Sequence, residues 1–69
     1  MLTYYVTFPF KDEKKRNKYQ KVTALTYALA RNAVFQAHGN QFAIIYPEVE
    51  FEGQPERYSL TPLDWEIVA

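Results

Sequence analysis

Residues 18–38, KYQKVTALTYALARNAVFQAH, decide how this chain is read, because they hold neither proline nor glycine and carry an apolar rhythm. Val22, Leu25, Leu29 and Ala33 fall at i, i+3, i+7 and i+11, the spacing of one face of a helix. That spacing predicts one long helix over 18–38 with this face turned to the core. Gly39 then suits a left-handed capping position, and Asn40 begins the exit.

On the N-terminal side, Leu2, Tyr4, Val6 and Phe8 alternate with Thr3, Tyr5 and Thr7, the period-two pattern of a strand. Pro9 closes it, having no N–H to donate to a ladder, and Phe10 to Asn17 reads as a charged loop. On the C-terminal side, Gln41 to Tyr46 is apolar on both parities, which predicts a central strand. After Pro47, Val49 and Phe51 alternate with Glu48, Glu50 and Glu52, and Gly53, Gln54 and Pro55 form a turn. Arg57 to Leu60 is then expected to return as a hairpin partner. Thr61, Pro62, Leu63 and Asp64 resemble a helix start, whereas Trp65 to Val68 reads as a short strand. One helical turn leading into an edge strand satisfies both signals. The fold class expected is α+β: a single two-layer β-α-β-β(-β) domain over 1–69, with one long helix on a sheet of three or four strands.

Composition narrows function by exclusion. At 69 residues with no cysteine and with His38 as the sole histidine, the chain has no means to form a disulfide or a histidine and cysteine zinc site. A domain this small gains only about 3–5 kcal/mol from its core, so self-association or a partner is an expected support. The hydrophobic fraction of 48% is that of a folded globule rather than a disordered chain. No apolar run approaches the roughly 20 residues of a membrane span. Met1 to Phe10 lacks a secretory leader's basic start, and the compartment expected is the cytoplasm.

Net charge is zero but segregated. Lys11, Lys14, Lys15, Arg16, Lys18 and Lys21 lie early, and Glu48, Glu50, Glu52, Glu56, Asp64 and Glu66 lie late. Either the fold brings the two groups together, the expectation adopted, or it leaves a dipole that steers a charged partner or a second copy of the chain.

Catalysis is not expected. Ser59 is the only serine, neither it nor His38 sits in a glycine-flanked elbow, and the two glycines, Gly39 and Gly53, form no phosphate-cradling loop. His38 is explained as a favourable charge at the helix's negative pole. Glu48, Glu50 and Glu52 would share one face of a strand and so hold a hard cation, but they also read as a solvated face that deters aggregation. No cofactor or metal is expected.

Two surfaces suggest binding. Tyr27, Arg31, Val34 and His38 align on the outer side of the expected helix, where an ordinary exposed face is more polar. Tyr5, on the sheet face away from the helix, is expected to lie open with no second helix to cover it. The function expected is therefore a non-catalytic protein-interaction module or accessory protein, self-association included, using Tyr27, Arg31, Val34 or Tyr5. The alternative is a nucleic-acid-binding accessory protein that sets Lys14, Lys15, Arg16 and Lys18 on phosphates, although Asp12 and Glu13 interrupt that cluster. The closing Leu63 to Val68 looks like the ends of several small phage-encoded proteins, a resemblance that implies a mobile-element origin and assigns no residue a role.

Overall fold

The computed structural model describes all 69 residues. The chain is α+β, with the order β1 (Leu2–Thr7), β2 (Lys18–Ala24), α1 (Tyr27–His38), β3 (Ile45–Pro47), α2 (Glu48–Phe51), α3 (Gln54–Arg57), β4 (Thr61–Pro62) and β5 (Ile67–Val68). The long helix expected over 18–38 is two elements. Lys18 to Ala24 is a strand paired antiparallel along the whole of β1, from Leu2 against Ala24 to Thr7 against Tyr19. Within it Gln20, Val22 and Ala24 are buried while Tyr19, Lys21 and Thr23 are half-buried, a period of two. Tyr19, Val22 and Thr23 favour an extended chain, and ten residues of loop let β2 fold back on β1, burying both. The helix begins only after Thr26, whose side chain accepts from the Leu29 N–H at 3.2 Å. It ends at His38, with Gly39 at φ 65° and ψ −134°, a conformation that glycine alone adopts readily.

The split helix changes which residues face the core. Ala30 and Val34 are fully buried, whereas Leu25 and Leu29 are 64% and 45% exposed. The main core joins Tyr4, Val6 and Phe8 of β1 to Val22 and Ala24 of β2, Ala30 and Val34 of α1, and Ile67, with Ala33, Phe42, Ile45 and Leu63 packed against it.

The five-stranded sheet has the order β3-β1-β2-β4, with β5 also on β2. β3 is thus an edge strand rather than a central one, antiparallel to β1. The chain before it is irregular, so Phe42 and Ile45, at opposite parities, both reach the core. β4 and β5 pair parallel with opposite ends of β2, at Lys18–Tyr19 and Val22–Thr23. They are two halves of one interrupted edge: Gln20 and Lys21 lie opposite four residues, Leu63 to Glu66, so the edge bulges outward. The helical turn expected at Thr61 to Asp64 is absent.

The stretch expected as a strand and hairpin, 48–60, forms the single turns α2 and α3, linked through Gly53 at φ 81°. Pro47 ends the edge strand, Pro55 sits at the start of α3, and both suit helix entry better than a ladder. Because β3 and β4 are at opposite edges, this stretch must cross the sheet. It crosses the face opposite α1 and seats Phe51, 4% exposed, on Tyr5. The face expected to be open is therefore partly roofed. No helix is long and apolar enough to cross a membrane.

Candidate functional site

The roofed face carries an aromatic cluster. Tyr5 and Phe51 stack with ring centroids 4.6 Å apart and planes 14° off parallel, Tyr19 meets Tyr5 edge-on at 5.8 Å, and Tyr46 lies 5.5 Å from Phe51. Period-two alternation in β1 and β2 sends Tyr5 and Tyr19 to this side while Tyr4 and Gln20 go to the other. The α2–α3 turn then forms one bank of an open groove of about 480 Å³ above Tyr5 and Tyr19. Its rim is acidic: Glu48, Glu52 and Glu56 line it together with Val49 and Pro55. All three carboxylates are exposed, and none is within ion-pair distance of a basic group.

That isolation answers the question posed by the segregated charges. The one ion pair in the chain is Lys15 to Asp12 at 3.7 Å, within the basic loop itself. None of the early bases forms an ion pair with a late acid, so the two groups do not pair directly. The basic loop is held toward the α1 side instead. Asp12 accepts from the Lys14 and Lys15 N–H groups at 3.1 and 3.2 Å, and the Lys15 ammonium lies 5.2 Å over Phe8 and 3.2 Å from His38 Nδ1.

From Lys15 a polar chain runs inward. An ammonium only donates, so His38 Nδ1 must accept and its proton sits on Nε2. Nε2 then donates to Gln20 Oε1 at 2.7 Å, and Gln20, 1% exposed, donates through its amide nitrogen to the Trp65 carbonyl at 3.1 Å. Gln20 thereby satisfies a carbonyl that the edge bulge removes from the ladder, and no buried side-chain polar atom lacks a partner. Burial, then the neighbouring Lys15 charge, hold the His38 pKa below its ordinary 6.5, with Asp12 partly opposing them. His38 is accordingly a half-buried link whose neutral form is favoured by burial and by Lys15, rather than the cationic helix-end group expected; Lys15 supplies positive charge near that end of α1.

The other sequence candidates are scattered by the fold. Tyr27 is 48% exposed and touches Tyr4 edge-on at 5.9 Å, and Arg31 is exposed. Val34, expected on the same outer stripe, faces the sheet with no exposed surface, because the helix starts nine residues later than expected and rolls accordingly. Of the phosphate-contact candidates, Lys14 and Arg16 point outward, Lys15 turns in, and half-buried Lys18 donates to Thr61 Oγ1 at 3.3 Å. Arg16 lies 5.2 Å over Phe10, which is 75% exposed. Glu48, Glu50 and Glu52 lie on a helical turn and beyond it rather than along one strand face, and no group of His, Asp or Glu side chains is arranged to hold a metal ion.

Sequence reasoning missed Tyr19, Tyr46 and Phe51 as partners of Tyr5. The signal for Tyr19 was its alternation with Gln20; nothing local marks Phe51, since its place depends on the crossing. A second, apolar concavity of about 600 Å³ lies between α1 and the last strand, lined by Leu29, Ala33, Trp65, Ile67 and Val68 among others. No protein-family model, curated protein or solved structure matches the chain.

Proposed function

We propose that this chain is a non-catalytic protein-interaction module whose contact surface is the Tyr5–Tyr19 groove and whose partner presents lysine and arginine side chains. The observation that carries the proposal is the pairing of an aromatic floor with a rim of three carboxylates that have no partner in the chain. Lysine and arginine stems lie well against tyrosine rings while their charged heads reach a rim. Exposed carboxylates around that floor favour cationic partners and repel acidic ones. A groove preformed on a sheet loses little conformational freedom on binding. Nucleic-acid binding ranks second, because two of its four basic residues, Lys15 and Lys18, are engaged within the fold.

The test is a titration of the labelled protein with a lysine- and arginine-rich peptide, followed by NMR, beside a peptide with glutamate in place of each base. The expected result is shifts at Tyr5, Tyr19, Glu52 and Glu56 with the basic peptide only, lost on Glu52→Lys with Glu56→Lys. Equal response to both peptides, or none at millimolar concentration, overturns the proposal.

A further inference from the structure

The chain carries both halves of the contact just described, and its fold keeps them apart. We infer that the groove's partner is a second copy of this chain, which seats its basic loop, Phe10 to Arg16, in the acidic groove of the first. This rests on the reading of the groove as a receptor for a basic segment.

The first argument is charge complementarity. Lys11, Lys14 and Arg16 are exposed and without ion pairs, and so are Glu48, Glu52 and Glu56. The second is placement. The loop is tied to the α1 side of the sheet through Lys15, Phe8 and His38, whereas the groove opens on the opposite side over Tyr5 and Tyr19. No base of the loop so held is paired with a carboxylate of its own groove, and the groove of a second molecule is free to take it. The third is the shape of the loop. Turn bonds from Asp12 brace it, and it carries an exposed Phe10 beside the Arg16 guanidinium. An aromatic ring and a cation side by side match a groove with an aromatic floor and an acidic rim. Two copies related by a two-fold axis make this contact twice, which closes the assembly; a single head-to-tail contact leaves it open.

The experiment measures mass by sedimentation equilibrium at about 10 mM and about 1 M salt, between which the screening length falls from roughly 30 Å to roughly 3 Å. The expected result is association at low salt toward twice the 8.2 kDa of one chain, or beyond if the contact stays open, and a monomer at high salt. Two variants sharpen it, each confined to exposed side chains: Lys14→Glu with Arg16→Glu in the loop, and Glu52→Lys with Glu56→Lys in the groove. Each variant alone should be monomeric at low salt, because loop and groove then carry like charge, and an equimolar mixture should associate again. A wild type that stays monomeric at millimolar concentration, variants that associate as it does, or a mixture that fails to recover overturns the inference. If the wild type is monomeric yet the basic peptide still shifts Tyr5 and Tyr19, the second-copy inference falls and the interaction module stands. If neither occurs, both fall.

Discussion

Replacing Gln20 with leucine tests the polar chain that ties four parts of the fold together. Gln20 is 1% exposed and bonds both the Trp65 carbonyl at 3.1 Å and His38 Nε2 at 2.7 Å. Leucine has a similar volume, so the change removes hydrogen bonds without opening a cavity. The two lost bonds are worth about 1 kcal/mol each, and a buried acceptor left without a donor costs about 1–3 kcal/mol. His38 is half-buried and can turn its N–H to water, so only the Trp65 carbonyl is left at risk, and the greater burial of an apolar side chain offsets part of the loss. The net expectation is a loss of about 2–3 kcal/mol. For a domain of this size each kcal/mol moves Tm by about 4–8 °C, so Tm should fall by roughly 10–20 °C. Thermal melts and urea titrations by circular dichroism measure this, with exposed Gln36→Leu on α1 as a control expected to stay within about 0.5 kcal/mol. A Gln20→Leu loss no larger than the control's would refute the claim that this chain of bonds holds the edge bulge to the sheet.

Stability should also depend on pH through His38, the only histidine. Its folded pKa lies below 6.5, so its contribution is complete above that value and drains as pH falls through the lower folded one. Urea midpoints at about pH 5.5 should sit below those at about pH 7.5, in a range above the ordinary carboxylate values, and His38→Gln should flatten the difference. Lys15→Met removes one of the two influences that lower the pKa and should move the imidazole titration upward by NMR; no movement would mean that Lys15 does not face Nδ1. Val34→Ala should cost about 2–3 kcal/mol, because it removes fully buried methyl groups. Phe35→Ala, a larger truncation at a position 54% exposed, should cost less; the opposite order in urea melts would place the wrong face of α1 against the sheet. Gly39→Ala should lose about 1–3 kcal/mol from backbone strain alone, since no heavy atom lies within 4 Å of the added methyl.

The two ends of the stretch 18–38 show what was legible. The alternation in Leu2 to Phe8 marked β1 and its inward face, and Gly39 marked the end of α1, because both signals are local. The helix start was not legible from the 3.6-residue period alone. Val22 and Leu25 lie three apart, which suits a helix, but Gln20, Val22 and Ala24 lie two apart, and the second pattern is the one the fold buries. Gln20 concealed it: a polar residue on the inward face reads as an exposed position unless its partners His38 and Trp65, both distant in sequence, are known. The candidate site was half legible. Tyr5 was identified on the sheet face away from the helix, yet its setting depends on Phe51 arriving from a crossing between opposite edges, a property of strand order and not of any local pattern. Val34 reads as an outward residue only if the helix begins at Lys18; with α1 starting at Tyr27, Ala30 and Val34 form its inward face.

The same crossing connects the architecture to the proposed role. With α1 on one side, a sheet this small needs some cover on the other, and two single turns supply it with one buried aromatic, Phe51. Such short turns cover only part of the face, so a groove remains beside them over Tyr5 and Tyr19. Their sequence is rich in glutamate, which suits helix starts and exposed positions and leaves the groove with an acidic rim. The basic loop meanwhile is drawn to the α1 side, because Lys15 completes the His38–Gln20 chain that satisfies the bulged edge. Closing the polar network on one face and roofing the other together leave the loop's bases and the rim's acids without ion pairs inside the chain, which is the condition for contact between molecules rather than within one. Disrupting the network at Lys15 should therefore loosen the loop and weaken self-association at low salt while the groove's response to a basic peptide is retained. Loss of both responses together would place Lys15 in the stability of the whole fold rather than in presentation of the loop.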